Sequence, residues 1–367
     1  MDPKKDPFRR CISPDSWPEL DRQAWANCLR AGDLLEGGGA GASWAPHTQA
    51  KIAKGYGRWL TWLVTKNLLD PAIAPGDRVD RQRVSEYMAE LNSLNAPYTL
   101  VARVQELYLA MAALAPEQDW TWIRTIERRL RTTARSVRNK RKRLVSSEQL
   151  LSLGLALMAE AESRTGGTPL QRAVRYRDGL MISLLAARPL RRRNFCSIAI
   201  GRHLICEGGT YWLQFGADET KTRIPIEAPV PQALTEKLQR YLTHFRPLLA
   251  QRIGRWNRGA HAQDRQTCAL WVSEDGSAMT EIAIYFRIAR TTRAKFGHAI
   301  NPHLFRDSAA TSVAVEDPES VHITRSILGQ GTLRASEQHY NHAQSLEALR
   351  QYQQWILELR RRHTGPN

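Results

Sequence analysis

The 367-residue chain is short of several things, and each shortage removes a class of protein. No uninterrupted apolar run reaches eighteen residues, so no membrane span is expected. The start carries Lys4, Lys5, Arg9 and Arg10 and lacks the apolar stretch of a signal peptide. Cysteine is sparse and odd in number: Cys11, Cys28, Cys196, Cys206 and Cys268 are scattered, with no C-x-x-C pair. That pattern argues against a disulfide framework and a zinc site, and fits a reducing compartment. There is no internal repeat, no RNA-recognition motif, and no low-complexity tract beyond Gly37-Gly38-Gly39-Ala40-Gly41. Acid is the most telling shortage. Asp and Glu number 36 against 53 Lys and Arg, giving a net charge of +17 and a pI of about 10.1. A surplus of that size favours a polyanionic partner, because each cation placed on a phosphate releases condensed counterions. The expected location is cytoplasmic, on the chromosome or a plasmid.

What is present reads as two domains. Residues 1–45 carry turn formers and the glycine patch, and are expected to be a mobile arm with one short helix at about 25–35. Residues 46–136 show helical spacing: Tyr56, Trp59, Leu60, Leu63 and Val64; then Val84, Tyr87, Met88 and Leu91; then Leu100, Val104, Leu107, Tyr108 and Met111. A fourth helix runs from about 120 to 134, giving a small bundle whose Trp and Tyr residues follow the buried face. The most basic stretch holds Arg131, Arg135, Arg138, Lys140, Arg141, Lys142 and Arg143. Its segment 137–145 is read as a linker that follows the DNA backbone, where such contacts position a protein without reading sequence. Ser146 and Gln149 have capping-box spacing and open a second domain at 146–345. Helices are expected at 147–162 and 169–187. Strands follow at 203–207, 210–215 and 222–226, with Pro225 placing the last at an edge. Further helices are expected at 231–252, 280–295, 303–314, 320–328, 333–340 and 345–362. The fold class is mostly α with a small antiparallel sheet.

Near the end of the second domain, Asn301-Pro302-His303-Leu304-Phe305-Arg306 precedes Leu328-Gly329-Gln330 and then His339-Tyr340-Asn341-His342. Asn301 can cap a helix and Pro302 suits its first position. His303 and Arg306, three apart, then share one face. Upstream lie Leu190-Arg191-Arg192-Arg193-Asn194-Phe195 and Glu219-Thr220-Lys221-Thr222-Arg223. Transfer of a phosphodiester to a side chain needs a nucleophile, cations for the non-bridging oxygens and an acid for the leaving oxygen. Guanidinium groups suit the second task because they stay cationic and grip phosphate with a planar fork.

This ordered set resembles the tyrosine recombinases, the integrase family that cuts and rejoins DNA. The resemblance covers about residues 48–350 and is strongest over 146–345. Residues 190–198 are similar to the family's Leu-Arg-x-x-Glu-Leu-x-x-Leu box, which puts the first phosphate clamp on Arg191. It leaves Asn194 where glutamate is frequent. Lys221 stands where the family carries a lysine on a β-turn and is implied as general acid. Arg306 is implied as second clamp, with His303 orienting the phosphate or handling the nucleophile's proton. Tyr340 is implied as nucleophile. Gln330 departs from the family's histidine: an amide donates a hydrogen bond but carries no charge. The resemblance implies a helical core-binding domain and a catalytic domain, a homotetramer on two DNA duplexes, and a 3′-phosphotyrosine intermediate. It implies no metal and no other cofactor. His303, His339 and His342 lack the tight spacing of a metal site. The segment 346–362 is implied to pack on a neighbouring protomer, with packing on its own domain as the alternative, and accessory DNA-bending proteins are further candidate partners. Two other readings share these residues: a DNA-binding relative with weak chemistry, and a type IB topoisomerase.

Overall fold

The structure, a computed structural model, describes residues 10–33, 37–137, 143–251 and 268–316. The chain forms two compact units, residues 1–139 and 140–367.

The first unit is helical: α1 (Glu19–Leu29), α2 (Pro46–Thr65), α3 (Arg81–Leu94), α4 (Pro97–Leu114) and α5 (Thr121–Thr133). Proline at the first turn starts α2 and α4, where a missing N–H costs nothing. Asp80 caps α3 by accepting the Arg83 amide at 2.8 Å. The core is aromatic, with Trp59 stacked on Trp62 at 5.0 Å and Tyr87 edge-on to both. Gly55 lets α2 and α4 touch closely, since a Cβ there would lie 2.3 Å from the Glu106 Cβ.

The stretch read from sequence as a mobile arm is different over its described residues, which build into this unit. Helix α1 starts at Glu19, ahead of the expected 25–35, and buries Asp21 and Cys28. Asp21 accepts two hydrogen bonds from Arg78 at 2.8 Å and one from the Tyr56 hydroxyl, with all three residues fully buried. The glycine patch is a packing device. The Gly39 amide donates to the Arg30 carbonyl and that of Gly41 to Cys28, at 3.0 and 2.9 Å. A Cβ on Gly39 would sit 2.2 Å from the Asn27 carbonyl, so only glycine lets this strand of chain lie against the end of α1.

The second unit opens with α6 (Ser147–Ser163) and α7 (Pro169–Ala187), each started by a full capping box, Ser146 with Gln149 and Thr168 with Gln171. After the short α8 (Arg192–Cys196) comes a three-stranded antiparallel sheet: β1 (Leu204–Glu207), β2 (Thr210–Phe215) and β3 (Ile226–Pro229). The β1–β2 hairpin turns on Gly208 and Gly209, both at positive φ (54° and 79°), as a two-residue turn of this hand requires. β3 is an edge strand, but it begins at Ile226 and not at Thr222. Residues 220–224 are drawn into a turn in which the Thr220 hydroxyl donates to the Ile224 carbonyl at 2.8 Å and Arg223 takes φ 53°.

The helix expected over 231–252 runs from Gln232 to Ala250, as α9 (Gln232–Arg240), a π turn at Tyr241–Phe245 and α10 (Arg246–Ala250). The wider turn comes just before Pro247, which has no amide to offer. α11 (Glu281–Phe296) and α12 (Pro302–Glu316) complete the described part. One core joins these elements, including Phe195 stacked on Trp271 at 4.9 Å, with the Trp271 indole donating to the Phe195 carbonyl. The helices expected at 320–328, 333–340 and 345–362 lie outside the described residues. Among those described, no helix is long and apolar enough to cross a membrane.

Candidate active site

Two elements bring their arginines together. Arg191 is the N-cap of α8, held there because Phe195 and Ile198 are fully buried and fix the helix on the core. Its side chain is half-buried, and burial lowers its pKa. Arg306 stands one turn into α12 and is 8% exposed. It donates to the Pro189 carbonyl at 2.5 Å, two residues before Arg191. Burial, and then the Arg191 guanidinium beside it, push its pKa down to about 10, with Asp307 acting in the opposite direction. Two guanidinium groups held near each other in a partly dehydrated place repel, and an anion between them removes that repulsion.

His303 is on the same helix, exposed in its first turn. The Asn301 carboxamide oxygen accepts the amides of His303 and Leu304 at 3.0 and 3.1 Å and so caps α12. The remaining early amides of this turn favour an anion. Lys221 is exposed in the turn that follows β2. That turn is tied to α8: Asn194 donates its side-chain amide to the Glu219 carbonyl at 3.1 Å. Asn194 and Pro189 are contributors that sequence reasoning missed. Position 194 stood out as a departure from the family box, but the carbonyl it binds is distant in sequence.

Two neighbouring arginines are engaged elsewhere. Arg192 pairs with Glu281 on α11 at 2.9 Å and lies over the Tyr285 ring at 6.0 Å. Arg188 donates to the Pro229 carbonyl of β3 at 2.9 Å. Among the basic residues assigned to DNA, Arg131 bonds Glu127 on its own helix at 2.7 Å, and Arg135 bonds the Thr132 carbonyl at 3.1 Å. Arg143 is half-buried and donates to the Ala299 carbonyl at 2.5 Å, which ties it into the second unit. Arg138, Lys140, Arg141 and Lys142 lie outside the described residues, as do Gln330, His339, Tyr340 and His342. No group of three or more His, Cys, Asp or Glu among the described residues could hold a metal ion.

No protein-family model matches the chain, and no curated protein sequence does. Solved structures do. XerH site-specific recombinase bound to a palindromic difH substrate, in a post-cleavage complex, superposes with a TM-score of 0.54 at 14% identity. The match covers 82% of this chain and 78% of that one. The pre-cleavage complex of XerH with difH gives 0.52 at 14% identity, over 83% and 78%. Helical first unit, three-stranded sheet and flanking helices together have the fold of the tyrosine recombinases.

Proposed function

We propose that the chain is a site-specific DNA recombinase that cuts and rejoins strands through a 3′-phosphotyrosine link. The observation that carries this reading is the convergence of Arg191 and Arg306, from α8 and α12, within a recombinase fold whose solved neighbours are DNA complexes. The scissile phosphate sits between the two guanidiniums, whose fixed charge offsets the charge gained in the transition state. The Tyr340 oxygen forms a bond to phosphorus as the bond to the 5′ oxygen breaks. Lys221 gives its proton to that oxygen, and the phenol's proton leaves through His303. The 5′ hydroxyl of a partner strand then reverses the step, and the link conserves bond energy. The partners are duplex DNA carrying the recombination site and three further copies of the chain, with accessory DNA-bending proteins as further candidates. The site of action is the nucleoid.

The test is covalent trapping. Purified protein is incubated with nicked duplexes drawn from the DNA around its own gene, then run on a denaturing gel. An adduct whose modified peptide contains Tyr340 supports the reading. DNA bound on a native gel with no adduct on any fragment would favour the weakly catalytic DNA-binding reading, which Gln330 motivates. Relaxation of supercoiled plasmid without site preference would favour a type IB topoisomerase.

Two substitutions refine the assignment. Arg306→Lys keeps a positive charge but loses the planar fork and the bond to Pro189, and is expected to slow adduct formation by about 10²-fold. A loss below about threefold in single-turnover rate would remove Arg306 from the clamp. Gln330→His restores a chargeable donor and is expected to keep or raise cleavage. A large loss on the same DNA would show that position 330 does not face the phosphate.

A further inference from the structure

The turn that carries Lys221 is braced against α8 by a closed set of hydrogen bonds. Asn194, 3% exposed, donates to the Glu219 carbonyl. The Glu219 carboxylate accepts the Gly216 amide at 3.0 Å, meets His203 Nε2 at 2.9 Å, and pairs with Arg202 at 2.7 Å. The His203 bond, and then the Gly216 amide, hold this carboxyl below the usual carboxylate range. His203 is 5% exposed and stacked on Phe215 at 4.7 Å. Its Nδ1 accepts the Ala199 amide at 3.1 Å. An amide N–H can only donate, so Nδ1 is bare and the ring proton is on Nε2, directed at Glu219. Thr220 is buried and bonds the Ala217 and Ile224 carbonyls at 3.2 and 2.8 Å, and the Arg223 amide returns to the Thr220 carbonyl at 3.2 Å. The turn is therefore closed on itself and fixed at its start to the helix that Arg191 caps.

We propose that Asn194 is a positioning residue for Lys221: with the His203–Glu219 pair behind it, its amide sets the lysine-bearing turn against the Arg191 end of α8. The proposal rests on the recombinase reading and adds how acid and clamp are held in register. It also gives a chemical reason for asparagine at this place. The Glu219 carbonyl needs a donor, and an ionised carboxylate at position 194 would offer none and would face an oxygen.

The test compares Asn194→Asp with the parent on two nicked duplexes that differ only in the bridging 5′ atom, oxygen or sulfur. Sulfur departs as a thiolate and needs no proton, so a fault in delivering the acid disappears on that substrate. Asn194→Asp is expected to be about 10²-fold slower on oxygen and within about threefold of the parent on sulfur. Arg306→Lys is expected to be slow on both. An equal loss on both substrates, or no loss on oxygen, overturns the proposal. Amide hydrogen exchange reports the brace without chemistry. Residues 220–223 should exchange about tenfold faster in Asn194→Asp, with α6 and α7 unchanged, and unaltered exchange overturns the brace. If the parent itself cleaves neither duplex, the recombinase reading falls and takes the role of Lys221 with it. The exchange result then tells that failure apart from the absence of a brace.

Discussion

Protein carrying Tyr340→Phe is expected to shift DNA on a native gel like the parent and to form no covalent adduct, a loss of at least about 10⁴-fold. The substitution removes one oxygen, the atom that would form the new bond to phosphorus. A free tyrosine has a pKa near ~10, so only about one in 10³ is ionised at pH 7. Attack by such a group depends on nearby cations and a path for its proton. The other tyrosines described in the second unit are poorly placed for this. Tyr176 and Tyr241 donate to the Lys237 and Leu270 carbonyls at 3.0 Å, and burial raises both phenols. Tyr211 is raised by burial and donates to Gln239. Tyr285 is the control to make beside Tyr340, since it is partly exposed and has Arg192 over its ring. Tyr285→Phe keeps that ring and should leave the adduct intact. An adduct lost in Tyr285→Phe and kept in Tyr340→Phe would move the nucleophile to α11.

The second large effect concerns stability. Asp21→Ala is expected to destabilise the first unit by about 3–5 kcal/mol, because it leaves the Arg78 charge buried with only carbonyl partners. Those partners are the Asp70 and Ile73 carbonyls. The Tyr56 hydroxyl loses its acceptor at the same time. Urea unfolding followed by tryptophan fluorescence reads this unit well, since Trp17, Trp25, Trp44, Trp59, Trp62, Trp120 and Trp122 all belong to it. Where the single variant is too unstable to purify, Asp21→Leu combined with Arg78→Met answers the question. Removing both charges should recover most of the loss. A cost under about 1 kcal/mol for Asp21→Ala would reduce the pair to the value of a surface ion pair.

These two sites also mark where sequence reading reached and where it stopped. Apolar spacing and capping signals are local, and they located most of the described helices and the β1–β2 hairpin closely. Asn301, Pro302, Ser146 and Gln149 sit in the caps their order suggests. The misreadings share one cause, which is that long-range contact overrode local chemistry. Gly39 and Gly41 look like flexible chain until Asn27 and Cys28 are seen against them. Asp21 looks like a surface acid until Arg78, far along the chain, is found beside it. Thr222 to Ile226 alternates like a strand, but Thr220 closes the turn first. At the candidate site the order of Arg191, Lys221, His303 and Arg306 is read from sequence only as a family resemblance. The bond from Asn194 to the Glu219 carbonyl has no signal in the sequence at all.

The buried Arg306 guanidinium, with that of Arg191 beside it, also makes this protein's stability respond to alkali. Unfolded, Arg306 has the ordinary arginine value, and in the fold burial, and then the Arg191 charge beside it, lower it to about 10. Below about pH 10 both forms carry the proton, and the folded chain bears the full cost of burying that charge beside Arg191. Between about pH 10 and the ordinary arginine value the unfolded chain binds more protons than the folded one, so this group's contribution to stability rises with pH. At neutral pH an oxyanion offers the same relief without loss of the proton. In the proposed recombinase, part of the affinity of Arg191 and Arg306 for phosphate would therefore be stored in the fold, as a cost of folding that the ligand removes.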